Sequence, residues 1–250
     1  MIFHTFGNKD NKAVILIHGM LTPWQIWICA VEHFKEQYYV IVPELDGHTE
    51  DEPSTFISIG IVAEKISDYI RKELDGRAYL LAGLSMGGRI AATVAKSDDL
   101  MIDNLVLDGA PLTKLNGLMR SIFKNNYISI IRKSKARDPK VLESAKKGFL
   151  PEERIGDFLK IADNMEPESV NRIIDTVFAD FEYTAYPNDM RILFMHGTKG
   201  NEAVSRKCAA RMKTANPQTK IREFKGMAHA ELACFKPEQW VNKVEGFIRK

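Results

Sequence analysis

The chain has 250 residues, 45% of them hydrophobic, and a formal net charge of +2. A chain of this length and apolar content can build a substantial core, as one domain with an elaboration or as two small ones. The small net charge argues by itself neither for nor against nucleic acid, and we predict no nucleic-acid partner.

Cysteine usage and the first residues indicate the compartment. Cys29, Cys208 and Cys234 are far apart and form no CxxC pair, so neither a zinc knuckle nor a disulfide framework is expected. The first ten residues lack the basic start and apolar stretch of a signal peptide. No apolar run approaches the roughly 20 residues that cross a bilayer. We therefore expect a soluble, cytoplasmic protein without stable membrane association.

Short apolar runs alternate with longer amphipathic ones along the chain. Six runs have the character of strands: 13–17, 38–42, 78–82, 104–107, 191–195 and a weaker, alternating 220–224. Helical spacing of apolar residues appears between them, at 59–70, 86–96, 204–212 and 240–248. The alternation predicts an α/β fold with a mostly parallel central sheet, right-handed crossovers and helices on both faces.

One segment, 112–187, interrupts this alternation. It contains no convincing strand, and amphipathic helices are predicted near 118–131, 139–147, 151–164 and 167–180. Pro139, Pro151 and Pro167 stand where first helical turns would begin. Because a structureless loop of this length is uncommon, we predict a helical cap at 112–187 over a core formed by 1–111 and 188–250.

A G-x-S-x-G pattern occupies 83–87. Such a pattern arises by chance in about one chain in ten of this size, so its context carries the argument. It follows a predicted strand directly and opens a predicted helix, as a nucleophile elbow does. Side chains at Gly83 and Gly87 would collide with neighbouring backbone, and the cramped turn would raise Ser85 Oγ at the N-terminus of the helix.

Backbone donors for a negatively charged oxygen are expected beside Ser85. His18-Gly19-Met20 ends an early strand, and Gly19 would let the backbone approach a reacting carbonyl closely. The amides of Met20 and Met86 could together hold the oxyanion of a tetrahedral intermediate. The alternative interpretation is a plain turn at the end of a strand.

The chain contains six histidines, and the general base for Ser85 is expected among them. His229 lies in a glycine-containing loop between the last predicted strand and the last helix, from which its ring could swing over the sheet. His196 ends a strand and is the secondary candidate. His18 and His48 are expected to bond loop backbone.

Four motifs in register resemble those of the α/β-hydrolase superfamily. They are His18-Gly19 with Trp27, the PELDGH turn at 43–48, the elbow at 83–87 and the GMAH loop at 226–229. The resemblance runs almost end to end and implies a serine hydrolase whose nucleophile, acid and histidine follow one another in that order.

The resemblance also locates the acid of a triad, with two candidates. Relatives often place Asp three residues after the glycine that ends the penultimate strand, and here that position is Gly200. Glu202 lies two residues further on and could still reach His229 Nδ1. Asp108, at the end of the fourth predicted strand, is the alternative. The plainer roles are a helix N-terminal acid for Glu202 and a capping residue for Asp108.

The predicted cap is basic in its first half. Residues 113–147 hold ten Lys and Arg against two acids. This excess could attract an anionic substrate or a membrane surface, although a solvated helix face is the commoner meaning of such a run. Apolar residues of the cap could line an acyl pocket, or they could pack the cap on the core. The substrate-contacting candidates are Leu21, Leu118, Met119 and Ile122, with Phe123 beside them.

The expected chemistry is hydrolysis of a small acyl ester, by a carboxylesterase or a monoacyl-lipid esterase, through an acyl-enzyme on Ser85. No metal ion or organic cofactor is expected. Thioester, amide or peptide, and carbon–carbon hydrolysis remain open, because the elbow serves them all. A dehalogenase would need a carboxylate at position 85. A non-catalytic ligand-binding protein on the same scaffold is the alternative of another class.

Overall fold

A seven-stranded sheet organises the computed structural model, which describes residues 1–200 and 202–249. The strand order is β1-β3-β2-β4-β5-β6-β7. The strands are β1 (Ile2–Phe6), β2 (Ala13–Ile17), β3 (Tyr39–Glu44), β4 (Arg77–Leu84), β5 (Met101–Asp108), β6 (Arg191–Gly197) and β7 (Lys220–Phe224). Only the β1–β3 pair is antiparallel, so the predicted mostly parallel sheet is confirmed.

Helices connect the parallel strands. The α-helices of the described residues are α1 (Ile28–Phe34), α2 (Ile59–Glu73), α3 (Met86–Val94), α4 (Gly117–Lys135), α5 (Pro139–Gly148), α6 (Ile155–Asn164), α7 (Pro167–Val177), α8 (Glu202–Ala215), α9 (Glu231–Phe235) and α10 (Pro237–Ile248). Every residue of β2 and β3 is buried, as expected of strands covered on both faces. Within 1–200 and 202–249, no helix combines enough length and apolar character to cross a bilayer.

The sequence predicted the six parallel strands and missed β1, α1 and α9. β1 lies at the edge of the sheet, and none of its five residues is fully buried, so it lacks the continuous apolar run of the central strands. α1 and α9 have seven and five residues, too few to establish a helical period.

The segment between β5 and β6 is helical, as predicted. α4 packs against α6 and α7 and also contacts α5. Three boundaries differ from the prediction: the helix expected near 118–131 extends to Lys135, the one at 151–164 begins as a short 3₁₀ turn before α6, and the last one ends at Val177. Pro139 and Pro167 each occupy the first position of a helix, where the missing amide hydrogen has no cost.

Acids later in the same segment balance its basic first half. Residues 112–187 contain thirteen Lys and Arg and eleven Asp and Glu. Lys124 lies 2.7 Å from Asp175 of α7, and Arg137 lies 2.7 Å from Asp163 of α6. The positive excess is therefore largely paired within the segment, which favours the solvated-face interpretation over an anion-attracting surface.

β2, β4 and α3 approach one another with almost no space between their backbones. A Cβ added at Gly83 would lie 2.2 Å from the carbonyl oxygen of Gly87. One added at Gly87 would lie 2.3 Å from the carbonyl oxygen of Ile17 and 2.5 Å from that of His18. The two glycines of the elbow therefore permit the contact between the start of α3 and the end of β2.

Gly87→Ala should lower the free energy of unfolding by about 3 kcal/mol, because backbone must shift to accept the methyl group. Gly246→Ala is the matched control, since Gly246 lies in α10 with nothing within 4 Å of an added Cβ. That control should gain about 0.5–1 kcal/mol from helix propensity. Urea unfolding of both variants provides the measurement, and equal stability of the two would contradict the packing argument.

Candidate active site

Ser85 joins β4 to α3 in a strained turn. Its backbone has φ 53° and ψ −115°, a conformation that L-residues rarely adopt. Its amide donates to the carbonyl oxygen of Asp108 at 2.7 Å, which ties the turn to the end of β5. Surrounding contacts therefore hold the side chain at the N-terminus of α3, where helix amides favour negative charge.

The imidazole of His229 bridges Ser85 and Glu202. Its Nε2 lies 2.8 Å from Ser85 Oγ, and its Nδ1 is hydrogen-bonded to Glu202 Oε1. The loop that carries His229 is fastened to the end of β6, because the amides of Thr198 and Lys199 both donate to the carbonyl oxygen of Met227. The structure thus brings together the predicted nucleophile, base and favoured acid.

Glu202 is buried at the start of α8, where only 2% of its surface is exposed. Its Oε2 accepts a 2.8 Å hydrogen bond from the Gly197 amide. Burial opposes ionisation, but the hydrogen bond and charge of His229, with the Gly197 amide, hold the pKa of Glu202 below its ordinary value. The side chain is therefore a carboxylate acceptor that fixes Nδ1 of His229 as the protonated nitrogen.

Asp108, the alternative acid, has a different partner. Trp240 Nε1 donates to its Oδ2 at 3.0 Å, and no hydrogen bond joins it to His229 among the described residues. Burial, reinforced by the nearby charge of Glu202, raises the pKa of Asp108 to about 7. Of the two candidate acids, the structure pairs Glu202 with His229.

Gly109 is a site residue that the sequence analysis missed. A Cβ there would lie 2.8 Å from His229 Cε1 and 3.0 Å from its Nδ1, and the residue has φ +61°. Any side chain at this position would displace the imidazole. The feature of the sequence that could have indicated this role is a glycine directly after a strand that ends at the same edge of the sheet as Ser85.

The two predicted oxyanion donors belong to residues that line the cavity beside Ser85. The amides of Met20 and Met86 donate no hydrogen bond to any residue of 1–200 or 202–249. Gly19 lies against the elbow, because an added Cβ would be 3.5 Å from Ser85 Cβ. Both amides are therefore without an acceptor among the described residues and belong to residues of the Ser85 cavity, as the donors of an oxyanion hole would.

Buried histidines hold the loop that presents Met20. His48 Nε2 accepts from the Leu21 amide at 3.0 Å, and His18 Nε2 accepts from the Leu45 amide at 3.2 Å. Burial lowers the pKa of His18 to about 4 and that of His48 to about 3, so both rings are neutral acceptors. They bond loop backbone as predicted. His196 is also buried, with Nδ1 2.7 Å from its neighbour's carbonyl oxygen.

A cavity of about 260 Å³ opens over Ser85 and His229. Its apolar walls come mainly from α4, α7 and the segment before α4. These residues are Leu115, Met119, Phe123, Ile174, Val177 and Phe178. Of the four residues predicted to contact substrate, Met119 lies on this cavity.

The other three predicted contacts lie elsewhere. Leu118 and Ile122 are 72% and 51% exposed and lie outside the described lining. The prediction chose the wrong side of α4. Met119 and Phe123, four residues apart, lie on the side that faces the cavity, whereas Leu118 and Ile122 share another side. Leu21 is buried and lines a neighbouring cavity instead.

Comparison with known proteins identifies the family. A sequence model of the alpha/beta hydrolase fold family matches residues 12–135. A structure assigned to this family, from Desulfitobacterium hafniense, superposes with a TM-score of 0.78 at 19% identity, over 98% of this chain and 99% of that one. The chain belongs to the α/β-hydrolase superfamily.

Curated relatives in the superfamily have diverse activities. Epoxide hydrolase 2 of Caenorhabditis elegans is 28% identical over 108 residues, which are 42% of this chain and 30% of that protein. A monoacylglycerol lipase of Xenopus laevis is 26% identical over 105 residues, 40% of this chain and 31% of that protein. The chain spans about a third of the length of these relatives, so the likeness establishes neither an activity nor a substrate for it.

The raised pKa of Asp108 predicts that the free energy of unfolding depends on pH in a way that Asp108→Asn removes. Between the ordinary pKa of 3.8 and the folded value of about 7, folded Asp108 retains a proton that the unfolded chain has released. The proton bound to Asp108 therefore stabilises the folded state fully below about pH 4. This stabilisation falls by about 1.4 kcal/mol per pH unit until about pH 7.

Asp108→Asn removes this titration, and the side-chain amide oxygen of the new residue can still accept the hydrogen bond from Trp240. The wild-type free energy of unfolding, relative to that of the variant, should decline from pH 4 to 7 and then level off. Urea titrations at half-unit pH steps measure the difference. Parallel pH profiles of the two proteins would show that Asp108 is not a buried neutral acid.

Proposed function

We propose that this α/β hydrolase is a serine esterase, a carboxylesterase or monoacyl-lipid esterase that forms an acyl-enzyme on Ser85. The supporting observation is the continuous hydrogen-bond chain from Ser85 Oγ through His229 to Glu202. Such a chain raises the nucleophilicity of a hydroxyl, because the imidazole can accept its proton while the carboxylate stabilises the resulting imidazolium.

In the first half-reaction, His229 Nε2 removes the Ser85 proton as Oγ attacks the ester carbonyl. The amides of Met20 and Met86 donate to the oxyanion of the tetrahedral intermediate. The intermediate collapses to an acyl-enzyme, and protonated His229 gives its proton to the departing alcohol. In the second half-reaction, His229 deprotonates a water molecule as the water oxygen attacks the acyl carbonyl. The bond between the acyl carbon and Oγ then breaks, the acid departs, and protonated His229 returns its proton to Ser85 Oγ.

The segment 112–187 acts as a cap over this site. Met119 and Phe123 of α4 and Phe178, just after α7, face the cavity that contains Ser85. Their apolar surfaces bind the hydrocarbon part of the substrate and exclude water, which strengthens the hydrogen bonds to the oxyanion. The core that carries the reacting groups consists of 1–111 and 188–250.

An ester is favoured over the other substrates open to the scaffold. The paired free amides of Met20 and Met86 suit a carbonyl that becomes an oxyanion, whereas an epoxide offers no carbonyl to polarise. Thioester, amide and carbon–carbon hydrolysis use the same groups, and the apolar cavity is compatible with a neutral acyl ester. A ligand-binding protein without catalysis would not require the Glu202–His229–Ser85 alignment.

A fluorophosphonate probe should label Ser85 covalently, because the activated Oγ attacks phosphorus as it would a carbonyl. Ser85→Ala should abolish labelling completely. Ser121→Ala is the matched control, since Ser121 is exposed on α4, lies outside the described lining of the cavity and should leave labelling intact. Mass spectrometry of the labelled peptide provides the measurement, and a folded wild-type protein that never reacts would support the non-catalytic alternative.

Substitution of the two acids tests the assignment of the triad. Glu202→Gln should lower kcat on an activated ester by about a thousandfold, because the amide no longer enforces the productive imidazole tautomer. Asp108→Asn should leave kcat near the wild-type value, since Asp108 bonds Trp240 and not His229. Steady-state kinetics with p-nitrophenyl acetate compares them. Full turnover in Glu202→Gln would assign the acid elsewhere.

A further inference from the structure

A second cavity adjoins the one over Ser85. It has a volume of about 350 Å³ and lies among α4, α5, α6 and the loop after β2. Its apolar walls include Leu21, Ile130, Phe149 and Phe158. Tyr127 is the one described residue that lines both cavities. Joined, the two spaces fall within the range of about 300–1,000 Å³ that small-molecule sites occupy.

One helix face runs along both cavities. Met119 and Phe123 line the first, Tyr127 lies at the boundary, and Ile130 lines the second. Their spacing of three and four residues places them in a row along α4. The Tyr127 ring stacks on Phe123, with centroids 6.4 Å apart, and its hydroxyl forms no hydrogen bond within the described residues. No polar bond therefore holds the Tyr127 side chain as a closed partition.

The chemistry of the site indicates whether the acyl part or the alcohol part of an ester would enter the second cavity. The departing alcohol must lie beside His229, which protonates it. The second cavity is bordered by Leu21, the residue after the oxyanion donor Met20, and its described lining includes neither His229 nor Glu202. The part of the ester that enters the second cavity extends from the carbonyl away from the leaving group. It is therefore the acyl chain.

We infer that the substrate is an ester of a linear acyl chain long enough to pass Tyr127 and end in the second cavity. This inference rests on the proposed esterase function and adds its substrate class. Asn126, Ser144 and Gly148 are exposed where the second cavity meets solvent, so the far end of the chain lies near a polar rim.

Gly148→Leu tests the inference by narrowing the second cavity alone. Gly148 lines it, and an added Cβ would meet nothing within 4 Å. Gly156→Leu is the matched control, since Gly156 is also helical and open but lines neither cavity. Ala145→Leu narrows the same cavity from another position of α5 and serves as a second variant. Circular dichroism verifies that each variant is folded.

The measurement is kcat/KM for p-nitrophenyl acetate and p-nitrophenyl decanoate. Gly148→Leu and Ala145→Leu should lower the decanoate value by about tenfold and leave acetate unchanged, because only the long chain reaches the filled space. Gly156→Leu should change neither. The inference is overturned if wild type turns over acetate but not decanoate, or if both cavity variants, once folded, keep the wild-type ratio.

The esterase proposal has its own readout in the same experiment. Acetate turnover that depends on Ser85, with an unaltered decanoate-to-acetate ratio in the cavity variants, removes the chain-length inference and leaves the esterase standing. Acetate turnover that persists in Ser85→Ala, or no turnover of either ester by wild type, removes both.

Discussion

The register of the parallel strands determines where the reacting groups can meet. Ile17 pairs with Gly83, Leu84 with Asp108, and Asp108 with Met195, so β2, β4, β5 and β6 end side by side. Each of the loops that follow contributes to the candidate site: an amide, the proposed nucleophile, a glycine against the imidazole, or the proposed acid. A shift of one residue in any pairing would turn the last side chain of that strand to the opposite face. The site is thus a consequence of sheet register before it is one of side-chain chemistry.

Two carboxyls near one imidazole take different protonation states because their partners differ. Glu202 accepts from Gly197 and His229, and those donors outweigh the burial that opposes its charge. Among the described residues, only the neutral Trp240 donates to the Asp108 carboxyl. Burial, and after it the charge of Glu202, raises the pKa of Asp108. Two adjacent ionised carboxylates would repel, so the neutral state of Asp108 favours ionisation of Glu202. The assignment of the acid depends on this local environment, because chain order allows either residue.

Local patterns predicted those parts of the fold and site that depend on local sequence. The central strands are continuous apolar runs, and Ser85 lies in a turn whose glycines are required by contacts within a few residues. Features that depend on distant contacts could not be predicted in this way. Gly109 is a site residue only because a loop more than a hundred residues later places His229 against it. Similarly, the apolar residues at the start of α4 spread over one wide side of the helix, and only packing against α6 and α7 determines that Met119 faces inward while Leu118 does not.

Glu202 reaches the imidazole of His229 although it lies two residues beyond the position, here Gly200, at which the family resemblance places the acid. The turn after β6 has glycine at position 200, with φ +60°, and the carboxylate comes from the first residue of α8. The longer side chain of Glu offsets the greater distance along the chain, and the first turn of a helix is favourable for a carboxylate. Ser205, one turn later in α8, lies 3.4 Å from the same carboxylate oxygen as His229. The geometry of the acid therefore depends on how α8 packs against β6, and a change at that packing surface would alter the tautomer of His229 without touching the three side chains.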